Sequence, residues 1–157
     1  MKWTVVISFL LLVPTPDAQQ RSRTKNNLKN SLIAPAEAQQ SVPRPEVVAF
    51  FANIQNLLAG DKVEGLQDQL APAVNLTLPS GENGLFSSSQ SAALLSSLFG
   101  QSKVRSVRFS KISDDGTTPF AAGSIASVQR GSLQTNQVFV AVSRRDGKWL
   151  IVQFNVY

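Results

Sequence analysis

Residues 144–157 read RRDGKWLIVQFNVY. The Asp146–Gly147 pair tolerates positive φ at both centres of a two-residue turn, which makes this the strongest hairpin signal in the chain. The arm that follows is dense in β-formers. Strict alternation from Lys148 puts Leu150, Val152, Phe154 and Val156 on one side and Trp149, Ile151, Gln153, Asn155 and Tyr157 on the other. One side is apolar throughout and the other amphipathic, the pattern of a strand that completes a curved sheet over a core.

The rest of the second half prepares that strand. KVRSVRFSKIS (103–113) alternates, with Val107 and Phe109 on one face and Arg105 and Arg108 expected toward solvent. Asp114 to Pro119 reads as a hairpin loop. FAAGSIASVQR (120–130) is rich in small residues, which lets a sheet bend or another backbone come close. LQTNQVFVAVS (133–143) then leads into the Asp–Gly turn.

Upstream the period changes to that of helices. RPEVVAFFANIQNLLAGD (44–61) has Pro45 for a first helical position, Glu46 for the positive end of the dipole and Gly60 for the exit. Val47, Phe50, Phe51, Ile54, Leu57 and Leu58 recur at three and four, giving one wide apolar face. DKVEGLQDQLAP (61–72) predicts a second, shorter helix with an Asp61/Glu64 capping box, an inward stripe of Val63, Leu66 and Leu70, and a stop at Pro72. Val74, Leu76 and Leu78 alternate as a strand, Pro79 to Gly84 turn, and Leu85–Phe86 return. A third helix runs to Gly100, capped by Ser87 with Gln90, with Ala93, Leu94, Leu98 and Phe99 as its apolar side. Helices followed by a run of hairpin-joined strands define an α+β fold: a cone-shaped, strongly curved antiparallel sheet with the N-terminal helices in its concave face.

Composition narrows the chemistry. The chain of 157 residues has room for one domain, is 43% hydrophobic and 16% charged, and contains neither Cys nor His. Thiolate and imidazole chemistry, His-ligated zinc and disulfides are therefore excluded. The net charge of +5 is uneven: residues 1–38 hold five bases against two acids, and the remaining 119 hold ten against eight. With no aromatic–basic interleaving, nucleic acid is not an expected partner. Lys2 precedes an apolar run from Thr4 to Val13, too short to span a membrane and of the ~7–15 residues typical of a secretory signal. The expected organisation is a signal peptide over 1–18 (alternative end at 38), a polar linker over 19–44 and the folded domain over 45–157, in an exported protein, periplasmic or extracellular.

ENGLFSSSQSAALLSSLF (82–99), VRSVRF (104–109) and DGKWLIVQFNV (146–156) carry a resemblance. Together they resemble the nuclear-transport-factor-2-like, or cystatin-like, superfamily, and more narrowly an uncharacterised family of exported bacterial proteins, domain of unknown function 4783. The family's step before its Gln-containing helix reads Gly84-Leu85-Phe86-Ser87 here, and the helix carries Gln90 and ends at Leu98-Phe99. The resemblance implies the cone fold and export, and no activity. Superfamily enzymes of the isomerase and dehydratase type use an Asp or His base with a Tyr or protonated Asp. This chain has no His, its one Tyr is Tyr157, and its acids fall at predicted caps, helix faces and turns. No catalytic residue, metal site or cofactor is expected.

The leading expectation is a non-catalytic binding domain taking an apolar small molecule or an envelope protein through the cone, with Phe50, Phe51, Ile54, Phe109, Phe139 and Trp149 as its expected lining. The alternatives are a cone-fold enzyme and an accessory subunit of a cell-envelope assembly. A homodimer through the amphipathic sheet face is a further expectation. Arg144–Arg145 at a hairpin tip reads first as a solvated pair, and the NLT sequence at Asn75, inside a strand, as a chance match to a glycosylation site.

Overall fold

The computed structural model describes residues 42–157. The expected signal peptide and almost all of the 19–44 linker lie outside the described residues. Helix α1 spans Pro45–Ala59, with Pro at its first turn and Gly60 as C-cap, as its end signals require. Val47, Phe51, Ile54 and Leu58 are wholly buried, while Phe50 and Leu57 flank them half-buried.

The second expected α-helix is instead a 3₁₀ helix, Val63–Gln69. Asp61 takes φ 53°, turning the chain where a capping box needs extended backbone, and the cap position falls to Lys62 without a side-chain bond. Val63 and Leu66 still point inward. Leu70 and Pro72 belong to strand β1, Leu70–Thr77. Pro72 has no N–H to give a ladder, and it sits where the β1 register slips between Leu70 and Asn75.

Strand β2, Asn83–Ser87, runs directly into helix α2, Ser88–Gly100. The capping box forms: Gln90 N donates to Ser87 Oγ at 3.3 Å and Ser87 N to Gln90 Oε1 at 3.0 Å. With no loop between strand and helix, the sheet fixes the helix's rotation. Its inward residues are Ser91, Leu95 and Phe99, four apart, so the buried face is turned from the expected one and Ala93 is exposed.

Strands β3 (Lys103–Ser113), β4 (Phe120–Gln129), β5 (Ser132–Arg145) and β6 (Lys148–Val156) follow. The order across the sheet is β2-β1-β6-β5-β4-β3, antiparallel at every step except the parallel β1–β6 pair. Asp146 and Gly147 both have positive φ, as the hairpin reading demands, and Arg130–Gly131 repeats the device between β4 and β5.

Strand β6 departs from strict alternation. Ile151 pairs with Val142 and Gln153 with Ala141, so Val152 is an extra residue, a bulge that resets the phase of the strand. Ile151 and Phe154, three apart, are therefore both wholly buried. Trp149 and Ile151 join Phe154 and Val156 on the concave face instead of opposing them.

Helix α1 packs on β3 and α2 on β1. Between them the interior is filled by rings: Phe109 meets Phe51 edge-on at 5.8 Å, and Phe99 meets Phe154 at 6.4 Å. Gly123, opposite Phe109, lets β3 lie close against β4.

Candidate functional site

The concave face changes character along β4 and β5. Near the core end its residues are Ala121, Ile125, Val138 and Val140, all buried. Toward the Arg130–Gly131 turn the same face carries Ser127 opposite Gln134, Asn136 opposite Ile125, and Gln129. Alternation guarantees the shared face; the residue types decide that its outer third is amide and hydroxyl. Over that end lie Leu94, Ser97 and Leu98 of α2 with its C-cap Gln101, and beside it the turn Pro79–Glu82. Together they enclose a cleft of about 330 Å³.

The cleft's polar groups are partly fixed. Asn136 Nδ2 donates to the Tyr157 carbonyl at 2.9 Å, Gln101 Nε2 to Ser97 Oγ at 3.3 Å, and Ser102 Oγ to the Leu98 carbonyl at 3.3 Å. Glu82 is the one carboxylate of the lining. A hydrogen bond from Ser80 and one from its own backbone hold its pKa below the ordinary 4.5, so it stays ionised, and its Oε2 is buried without a partner among the described residues. The cleft can thus offer amide donors and acceptors, hydroxyls and one fixed negative charge.

A shallower groove of about 400 Å³ lies across the end of α2, between Asp61, Glu64, Phe99 and Lys103. It lies beside the 3₁₀ helix and not within the sheet's hollow. Among the described residues no three Asp or Glu gather to hold a metal, and no helix is long and apolar enough to cross a membrane.

None of the six residues expected to line the cone borders either cleft. Phe51 and Ile54 are core, with Phe50 and Phe109 packed against it. Phe139 lies on the convex face, stacked on Phe120 at 5.2 Å. Trp149 sits by the start of α1 under two guanidiniums, Arg44 at 5.1 Å and Arg144 at 5.7 Å. Arg144 bonds Glu46 at 3.2 Å, while Arg44 grips Asp114 through Nε and Nη2, both at 2.7 Å, and through its backbone N–H at 2.9 Å. These bonds lower the Asp114 pKa. The Asp114 side chain is only 3% exposed, covered at the surface by Arg44 itself and not sunk in the core. This cluster is a clasp that fixes the start of α1 to the β3–β4 loop and the β5–β6 hairpin. Ser127, Gln129, Gln134 and Asn136 escaped the sequence reading because nothing in their spacing signals a site until β4, β5 and α2 are brought together.

The curled sheet with helices in its hollow defines a nuclear-transport-factor-2-like domain. Solved structures share that fold: a nuclear-transport-factor-2-like protein of unknown function from Pseudomonas putida matches with TM-score 0.55 at 11% identity, covering 71% of this chain and 82% of its own. An LEH-like epoxide hydrolase from M. tuberculosis matches with TM-score 0.55 at 16% identity, covering 71% and 81%. A family protein from Bacteroides ovatus, of the domain of unknown function DUF4783, matches with TM-score 0.60 at 16% identity, covering 74% and 94%. The model of that same family, "Domain of unknown function (DUF4783)", matches residues 51–156, and the chain belongs to it. The resemblance read from the Gly84–Ser87 step and the following helix is borne out. No curated protein matches the sequence.

Proposed function

We propose that this chain is an exported, non-catalytic binding domain whose ligand is a small polar molecule held in the cleft between α2 and the β4–β5 end of the concave face. The observation that carries the reading is the switch from apolar to amide and hydroxyl lining beyond Ile125, within a cleft of about 330 Å³. That volume lies at the lower end of the ~300–1,000 Å³ common for small-molecule sites. The ring-filled interior favours a polar ligand at the rim over an apolar one in the core. Glu82 argues for binding over catalysis: a carboxylate with a depressed pKa is a poor proton acceptor near neutral pH, where a general base needs a raised one. Export is supported by the Lys2 and Thr4–Val13 pattern, and fractionation of the producing cell with N-terminal sequencing of the mature chain tests it.

The ligand test is a thermal-shift screen with polyols, amino sugars and small amides, against fatty acids and steroids. A ligand present at about 100 times its Kd stabilises by about 2.7 kcal/mol, a shift far outside scan error. The shift is expected with a polar compound and lost in Gln134→Trp, which blocks the cleft from an exposed strand position. An equal shift in that variant, or shifts with apolar compounds alone, would sink the proposal.

A further inference from the structure

The convex face of the sheet is basic along its β3 edge. Among the described residues no Asp or Glu occurs on any of the six strands, whereas β3 by itself carries Lys103, Arg105, Arg108 and Lys111. Register puts three of these on the convex side: Lys103 opposite Val128, Arg108 opposite Ser124, and Lys111 opposite Ala122. Following one row across the sheet, Lys111 leads through Ala122 to Phe139, then Asn155, Thr77 and Asn83. With strands ~4.8 Å apart, that row runs from base through aromatic to amide and hydroxyl over roughly 24 Å.

A second observation lies in the same row. Asn155 is 5% exposed; its Nδ2 donates to Tyr157 Oη at 2.9 Å, and its Oδ1 is buried without a partner among the described residues. An amide oxygen without a protein donor has lone pairs that an incoming hydroxyl can satisfy. Tyr157 beside it is 61% exposed although its backbone exchanges hydrogen bonds with Gln137, so the side-chain contact that holds the Asn155 amide lies at the surface.

We propose that this face binds an acidic polysaccharide, its carboxylates or sulfates on Arg108 and Lys111 and its hydroxyls on the amides around Asn155. The chemistry separates this occupant from others. Single-stranded nucleic acid needs open aromatic faces for successive bases, but Phe120 and Phe139 stack on each other and Lys111 lies 5.7 Å over the Phe120 ring. A second copy would offer no Asp or Glu from these strands to answer Arg108 and Lys111, so the expected homodimer through the sheet leaves them without a counter-charge.

The test uses polygalacturonate as probe, with neutral dextran and single-stranded DNA beside it, measured by calorimetry at about 0.05 M and about 0.5 M salt, where the screening length falls severalfold. Polygalacturonate is expected to bind at low salt and dextran not at all. The double variant Arg108→Ala/Lys111→Ala is expected to bind roughly tenfold more weakly, as suits two lost charge-assisted contacts at a surface. Asn75→Ala, near the amide end of the face, weakens binding without touching the salt dependence, and thermal unfolding of each variant reports that it is folded. Undiminished affinity in the folded double variant overturns the proposal. So does equally tight DNA binding at the same salt, and so does self-association through this face with no glycan bound. Gln134→Trp, which blocks the concave cleft, leaves polygalacturonate binding intact, so this proposal and the polar-ligand reading fail separately.

Discussion

Replacing Gly123 by Ala is the most direct trial of how the sheet is closed. A Cβ built there would stand 2.7 Å from Phe109 Cα and 2.8 Å from the Arg108 carbonyl carbon, with the Arg108 carbonyl oxygen nearer still. All three are backbone atoms of β3, so no side chain can swing away; the strands must part, or Ser110, which the β3 register skips between Phe109 and Lys111, must shift. Overpacking of this kind costs about 1–3 kcal/mol, and a backbone obstacle belongs at the upper end. Against that, Gly→Ala removes freedom from the unfolded chain, worth about 0.4–1 kcal/mol where the native φ suits alanine. The net loss is about 2 kcal/mol, a fall in Tm of roughly 8 °C for a domain of this size. Because Phe109 follows β3, its edge-on contact with Phe51 loosens too. Gly100→Ala is the internal control: it ends α2, and a Cβ there meets nothing within 4 Å. It is expected to stabilise by about 0.5 kcal/mol, so one substitution has opposite signs at two sites. Urea and thermal unfolding of both variants decide the matter. A Gly123→Ala protein as stable as its parent would refute the close β3–β4 approach and the packing built on it.

Two further outcomes follow from the clasp and the helix cap. Asp114 has its pKa lowered by Arg44, so its contribution is present above its ordinary value of 3.8 and lost as pH falls through the depressed folded value. Asp114→Asn is expected to be less stable than the parent at about pH 7 and to converge with it in acid, read as urea midpoints across pH; a constant gap would deny the charge its role. Ser87→Ala removes the α2 cap and should cost about 1 kcal/mol, mostly restored by Asp at the same position.

The parts of the fold legible in the sequence are those set by local chemistry. Pro45 and Gly60 bound α1, Ser87 with Gln90 starts α2, and Asp146–Gly147 turns the final hairpin, each because a backbone conformation or an orphan N–H requires that residue type. What escaped is set by contacts distant in sequence. The Val152 bulge leaves no trace in the run WLIVQFNV, since every residue in it suits a strand on either side. The parallel β1–β6 pairing joins segments some 80 residues apart, and the 3₁₀ helix stands where an α-helix was expected, after a left-handed turn at Asp61 that its residue type permits but does not announce. The cleft escaped for the same reason, and the aromatic residues first chosen for it are the ones an apolar core claims first.

Filling the hollow has a consequence for where recognition can reside. A chain without disulfides depends on its core, and here Phe51, Phe99, Phe109 and Phe154 occupy the space between helices and sheet. Binding chemistry is then displaced to the rim of the concave face and to the convex face. The charges are segregated to match. At the start of α1, acids neutralise bases: Asp114 holds Arg44, and Glu46 holds Arg144. On β3 the bases stand on a sheet that has no acid in any strand. A near-balanced count of ten bases and eight acids from residue 39 onward therefore conceals one surface that is held shut by ion pairs and another that is left positive. Net charge is silent on that difference; strand order and register are what separate a structural arginine from one that can meet a partner.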